Sequence, residues 1–294
     1  MHIPAEMLHG AVCPVTATLA IAGIGTAAIT LVRHPKAAPK AADMALTGAT
    51  VFGLQMLNYP IYNGISGHLI GGVFAAALLG VPGGVLCTAL VLLAQTLLFA
   101  DGGLGMLGAN IVNMSLIGAG LGGLLLQVLR RRGVAEPLAV AGAAFASTLA
   151  AVVALGGELL ACRTAPLAAI GSLLALHAVL ACVEGAITPV LTAVIKPTSV
   201  GVLGRRGLTM LGGITLAALL CAPLASAFPD AFEWTMARFS LLPDAPNFAH
   251  APLADYTVPA VSSELFSTWA AGLAGMLAVA TLCWFVPRML TKAR

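Results

Sequence analysis

The chain is a succession of long apolar runs separated by short charged clusters, and that pattern decides what its solvent must be. Of 294 residues, 60% are hydrophobic and 9% are charged, and mean hydropathy is +1.00. A soluble domain carries roughly 25% charged residues. A chain this poor in charge uses lipid as its solvent, where every backbone polar group must be satisfied inside a helix or a closed barrel. Unbroken apolar runs, as opposed to alternating ones, select helices. The sequence predicts an all-α integral membrane protein, a polytopic helical bundle.

Nine apolar segments are expected, at about 10–32, 42–58, 67–80, 82–99, 105–129, 137–160, 166–195, 208–228 and 265–287. The third is short for a full crossing, which takes roughly 20 residues. The third and fourth are expected to meet at Gly80-Val81-Pro82-Gly83-Gly84, a tight turn by composition. The basic residues orient the bundle. With the N-terminus outside and the C-terminus cytoplasmic, the inner loops hold Arg33, Lys36, Lys40, Arg130, Arg131, Arg132, Lys196, Arg205, Arg206, Arg288, Lys292 and Arg294. That leaves only Arg163 and Arg238 of the 14 cationic side chains outside, as the positive-inside rule requires. No basic patch suggests nucleic acid. Six cysteines, at 13, 87, 162, 182, 221 and 283, form no C-x-x-C pair and read as small, polarizable helix residues. The pairs Gly23/Ala27, Gly118/Gly122 and Ala119/Gly123 allow close helix approach, within the bundle or against another subunit.

Two histidines carry the chemistry. His2 follows the amino terminus in Met1-His2-Ile3-Pro4, and His68 stands in Ile65-Ser66-Gly67-His68-Leu69-Ile70. A terminal amine, the backbone nitrogen of residue two and its imidazole can close fused rings on one metal ion, and a second imidazole completes a nitrogen-rich set. Such a set suits Ni(II), Co(II) or Cu(II) and disfavours Mg(II) or Ca(II). The charge-derived topology puts both histidines on the outer face. The first segment lacks the basic start of a secretory signal, so Met1 is expected to remain, and the bulk of His2 also disfavours its removal.

These residues bring a resemblance into view. Met1-His2-Ile3-Pro4, Ser66-Gly67-His68-Leu69-Ile70-Gly71-Gly72, Ala100-Asp101-Gly102-Gly103-Leu104, Leu107-Gly108-Ala109-Asn110, Asn113-Met114, and His177 followed by Glu184-Gly185-Ala186-Ile187-Thr188 resemble the substrate-specific membrane subunit of cobalt/nickel energy-coupling factor transporters, the CbiM/NikM family. The resemblance covers residues 1–200, expected as the metal-binding core. Residues 201–294 resemble the small partner subunit of those transporters, fused here as two helices flanking an external loop, 229–264. Pro229-Asp230-Ala231-Phe232-Glu233 is similar to that partner's Pro-Asp-Gly-Leu-Glu signature and departs from it at Ala231 and Phe232; Leu253–Pro259 is a further likeness.

The resemblance implies a plasma-membrane subunit, not an enzyme, that captures Co(II) or Ni(II) as transported substrate through the Met1 amine, His2 and His68. It implies a transmembrane coupling subunit and two cytoplasmic ATPases as partners. This chain has no G-x-x-x-x-G-K-[ST] and therefore no ATP site of that type. Asp101, Asn110 and Asn113 are candidates for orienting the ligands through hydrogen bonds, or for capping helix ends. His177 and Glu184, seven residues apart on one helical face, are ionisable groups at membrane depth, which serve as polar glue or as part of the metal path or coupling. Glu158 and Arg163 flank an outer turn, where a surface ion pair is expected. Two rival readings stand beside this one. An intramembrane metalloenzyme would use His68, His177 and Glu184, and a self-sufficient channel or secondary transporter would need no ATPase.

Overall fold

In the computed structural model, residues 2–197, 202–242 and 251–292 are described. They form a helical bundle with one small hairpin. In chain order come α1 (Val12–Arg33), α2 (Ala41–Met56), β1 (Tyr59–Tyr62), β2 (Ile65–Gly67), α3 (Gly72–Ala94), α4 (Leu107–Asn110), α5 (Gly122–Arg131), α6 (Glu136–Ala161), α7 (Leu167–Ile195), α8 (Arg205–Cys221), α9 (Ala231–Arg238) and α10 (Glu264–Lys292). A π-helical stretch, Ile111–Leu121, joins α4 to α5, so 104–131 runs as one rod.

Among the described residues, seven helices are long and apolar enough to cross a membrane. Two features separate that number from the nine expected segments. Helix α2 has 16 residues, below the roughly 20 a crossing takes. The run 72–99 counts as a single helix by length, yet it is broken at Gly80, whose φ of 76° and ψ of 165° are non-helical. A Cβ on Gly84 would lie 2.7 Å from Ala76 Cα. Residues eight apart in a straight helix stand about 12 Å from each other. The chain therefore folds back at Gly80, where the composition placed a turn, and Gly83 at that turn packs on Pro39. The short arm 72–79 is buried throughout.

The small-residue pairs face inward. Gly23 packs on Leu116, Gly118 on Ile70, Gly122 on Val73 and Ser147, and Gly123 on Ala76. They serve packing within this chain. The C-terminal helices close the bundle: α10 lies along α2, where Gly48 receives Cys283 and Gly53 receives Met276. The expected pair of Glu158 and Arg163 is replaced by a different contact. Glu158 Oε2 accepts from Asn113 Nδ2 at 2.8 Å, and Arg163, just past the end of α6, is exposed.

The Pro229–Glu233 signature lies at a helix start that explains it. Asp230 caps α9 by accepting from the Glu233 N–H at 2.8 Å, and Glu233 Oε2 accepts from the Asp230 N–H at 3.2 Å. This reciprocal capping box uses only the Asp and the Glu of Pro-Asp-x-x-Glu. The departures at Ala231 and Phe232 leave it intact, and both side chains are buried, Phe232 in the cluster that holds Leu155, Leu159 and Leu173.

A close backbone contact in the bundle is checked by a pair of substitutions. A Cβ on Gly72 would sit 2.5 Å from the Gly118 carbonyl carbon, whereas one on Gly157 meets nothing within 4 Å. Gly72→Ala should lower the thermal unfolding midpoint in detergent, at a cost of about 1–3 kcal/mol for overpacking. Gly157→Ala should leave it unchanged or raise it.

Candidate metal centre

The second histidine is carried by a loop held at depth by buried polar side chains. Hairpin β1–β2 delivers Gly67, whose lack of a side chain admits Leu180. Beyond His68 the backbone is irregular, and its amides need partners away from water. Glu184 on α7 supplies them: Oε2 accepts from the Ile70 N–H and Oε1 from the Gly71 N–H, both at 2.8 Å. Gly71 takes φ 73°, which turns its N–H toward that carboxylate and which a side chain would resist. Gln55 on α2 completes the Ile70 peptide by donating to its carbonyl at 2.7 Å. His68 Nδ1 lies 3.0 Å from the Leu69 carbonyl. A carbonyl only accepts, so Nδ1 carries the proton and Nε2 the lone pair.

The amino-terminal arm is pinned by its third residue. Ile3 is fully buried, and its N–H donates to Asn110 Oδ1 at 2.9 Å. Its carbonyl accepts from Asn110 Nδ2 at 3.4 Å and from the Gly103 N–H at 3.0 Å. The Ala100-Asp101-Gly102-Gly103 turn is built for this approach: a Cβ on Gly103 would be 2.5 Å from Ala5 Cα.

Both anchors bring the imidazoles together. The His2 and His68 rings stack with centroids 5.4 Å apart and planes at 26°, each residue 9% exposed. His2 Nε2 stands 3.2 Å from Gln95 Oε1, and Nδ1 stands 3.2 Å from Asp101 Oδ1. Burial lowers the basicity of His2, with the Asp101 charge opposing it, and lowers His68 to about 3. Both rings are therefore neutral at physiological pH, the form that binds metal. Met1 lies outside the described residues.

The C-terminal segment covers the centre. Ser66 donates its N–H to the Pro229 carbonyl at 2.9 Å and its hydroxyl to the Phe228 carbonyl at 2.7 Å. Tyr256 donates to Asp101 Oδ2 at 2.6 Å. Burial, joined by the Asp101 charge, holds the Tyr256 hydroxyl protonated well above its usual range. A cleft of about 410 Å³ lies between these parts, lined by His2, His68, Asp101, Asp230, Glu233 and Tyr256 among others.

Behind His68 is a second, smaller space of about 10 Å³, room for one water, bounded by His68, Thr148, His177, Glu184 and Asp230. His177 Nδ1 faces the Leu173 carbonyl at 2.9 Å, and its buried Nε2 has no hydrogen-bond partner among the described residues. Of the residues singled out from sequence, His2, His68, Asp101 and Asn110 converge, and Glu184 braces them. Asn113 instead joins Glu158 on α6. Sequence reasoning missed Gln55, Gln95 and Tyr256. The two glutamines were visible as amides inside apolar runs, where a polar side chain needs a partner.

The chain is similar to known proteins. Residues 2–202 match the family model for the cobalt uptake substrate-specific transmembrane region, and residues 207–292 match the PDGLE domain. A protein of Archaeoglobus fulgidus provisionally named a fused nickel transport protein, NikMN, is 36% identical over 131 residues, 45% of this chain and 43% of its own length. The match thus spans less than half of that relative. The cobalt transport protein CbiM of Salmonella typhimurium is 42% identical over 98 residues, 33% of this chain and 40% of its own. A crystal structure of a truncated transition metal transporter superposes with a TM-score of 0.55 at 26% identity, covering 66% of this chain and 97% of that one. With the apolar helices, these relatives make the chain a multi-pass protein of the plasma membrane. It belongs to the CbiM/NikM family of cobalt and nickel transport proteins, with a PDGLE, CbiN-like segment fused after its core.

Proposed function

We propose that this chain is the metal-capturing subunit of an ATP-driven energy-coupling importer for Co(II) or Ni(II). In this reading the N-terminus is outside and the C-terminus cytoplasmic, residues 1–200 form the metal-binding core, and 201–294 form an accessory unit. A transmembrane coupling subunit and two cytoplasmic ATPases supply the drive. The ion is bound by the Met1 amine, the His2 backbone nitrogen and imidazole, and the His68 imidazole. One observation carries the reading: two neutral imidazoles from distant parts of the chain meet at 5.4 Å in a buried pocket. A ring proton of His2 given to Gln95 leaves Nδ1, the nitrogen that closes a chelate ring with the residue's own backbone nitrogen. Asn110 fixes the next residue and so presents the chelating end of the chain. Asp101 and Asp230 line the cleft and favour a divalent cation over a neutral ligand. Both oxygens of Glu184 are engaged by backbone N–H groups, which speaks against its use as a general base in a metalloenzyme.

Replacing His2 or His68 by alanine, or adding one residue before Met1, should weaken Ni(II) and Co(II) binding by more than about 100-fold. A lost ligand costs more than a lost supporting partner. Calorimetry on the purified chain with a free amino terminus reads this directly, and undiminished binding in any of the three would overturn the ligand set.

The pH response follows from which groups carry protons. Burial depresses both imidazoles below the ordinary histidine range, so they add less proton competition than free histidines would. The amine, with a reference pKa of roughly 7.7–8.0, and the His2 amide must each give up a proton. Affinity should fall about ten-fold per pH unit from the amide alone and up to about 100-fold per unit once the amine is protonated. A flat titration between pH 7.5 and 5.5 would rule this out.

Glu184 acts by bracing the His68 loop. Glu184→Ala leaves two buried N–H groups without acceptors, at about 1–3 kcal/mol each. Amide exchange over 65–72 should accelerate and metal affinity should drop, with Glu184→Gln intermediate because it retains one acceptor.

A further inference from the structure

The Tyr256 side chain is held in place by more than the hydrogen bond it makes. Asp255 and Tyr256 both take left-handed backbone conformations, with φ of 53° and 56°. An aromatic residue adopts that region at a cost, and such strain persists only where the surroundings impose it. Here they do. The Tyr256 ring stacks on Phe99 with centroids 4.6 Å apart and planes at 24°, and meets Phe52 at 6.1 Å. The Leu253 N–H donates to the Leu98 carbonyl at 2.9 Å, and the Val258 N–H donates to Ser267 Oγ at 2.6 Å. Both ends of this short turn are therefore tied down, one to the Gln95–Phe99 stretch that follows α3 and one to α10. The hydroxyl that emerges donates to Asp101 Oδ2 at 2.6 Å and also lies within reach of Gln95, while the other oxygen of the same carboxylate stands 3.2 Å from His2 Nδ1.

A carboxylate on a short side chain can rotate, and hydrogen bonding of one oxygen fixes where the other is presented. We propose that Tyr256, contributed by the fused C-terminal unit, is a positioning residue of the metal centre, holding the Asp101 carboxylate beside His2 Nδ1 so that its negative charge faces the ion this nitrogen binds. This rests on the metal centre proposed above. It gives the accessory unit a chemical part in the site beyond covering it: the core carries the ligands, and the appended segment supplies the hydroxyl that orients their carboxylate neighbour. Phenylalanine at 256 keeps the ring, its stacking on Phe99 and the turn, and removes only the hydroxyl.

The test uses the full chain with its native amino terminus, titrated separately with Ni(II) and Co(II), with the visible absorption of the Ni(II) complex recorded at saturation. Tyr256→Phe should weaken binding of both ions about ten-fold, as loss of an outer hydrogen-bonding partner does. It should also shift the Ni(II) ligand-field band. At saturating metal every molecule is folded and loaded, so a band shift reports the geometry around the ion, which a merely structural role would leave alone. Wild-type affinity, or a weakened affinity with an unmoved band, would overturn the proposal. His2→Ala run in parallel separates the two readings. Loss of binding there with an unaffected Tyr256→Phe sinks only the role of Tyr256, while normal binding in His2→Ala sinks the metal centre and this inference with it.

Discussion

One carboxylate makes the rest of the centre possible. The loop that carries His68 runs as irregular backbone inside an apolar bundle, where an amide without a partner costs several kcal/mol. Glu184 removes that cost for two successive amides, and Gln55 removes it for the carbonyl between them. The same contact explains why Gly71 and Gly72 follow Ile70: the first supplies the turn and the second lets α3 press against the Gly118 backbone. Each of these choices is local, and together they place an imidazole among helices with its tautomer already selected.

The accessory unit is bound to the core through the site itself. Ser66, two residues before His68, gives both its donors to carbonyls at 228 and 229. Asp101, beside His2, takes the hydroxyl of Tyr256. Each histidine arm therefore has a neighbour that is engaged by the C-terminal segment. Asp230 links the two roles of that segment, capping α9 through its side chain and lining the cleft.

Much of this was legible in the sequence, for physical reasons that can be named. Charge scarcity fixed the helical membrane class, and the Gly-Val-Pro-Gly-Gly composition located the fold-back at Gly80. The nine expected segments and the seven long apolar helices among the described residues differ because α2 is apolar but short and 72–99 is long but bent. The pairing of His2 with His68 was visible because both fell on one face by charge alone. The supporting amides were not, since Gln55 and Gln95 sit in apolar runs without any spacing that names a partner. Glu184 stood out as costly at that depth, but its partners are backbone groups, and no side-chain pattern announces those. Glu158 misled for the opposite reason. Arg163 is its neighbour in sequence, while Asn113, its actual partner, is brought close only by the packing of two helices.

The contacts that build the centre join parts of the chain that lie far apart in sequence. Ile3 meets Asn110, Ser66 meets Phe228, and Asp101 meets Tyr256, at sequence separations of 107, 162 and 155. Loop-closure entropy makes such contacts late to form. During synthesis the early helices can insert and pack while Asp101 and Ser66 still await their partners. Ripening of the pocket is thus reserved for the final stage of biogenesis, when the last stretch of polypeptide emerges and docks. A half-made chain has both imidazoles but lacks the segment that encloses them.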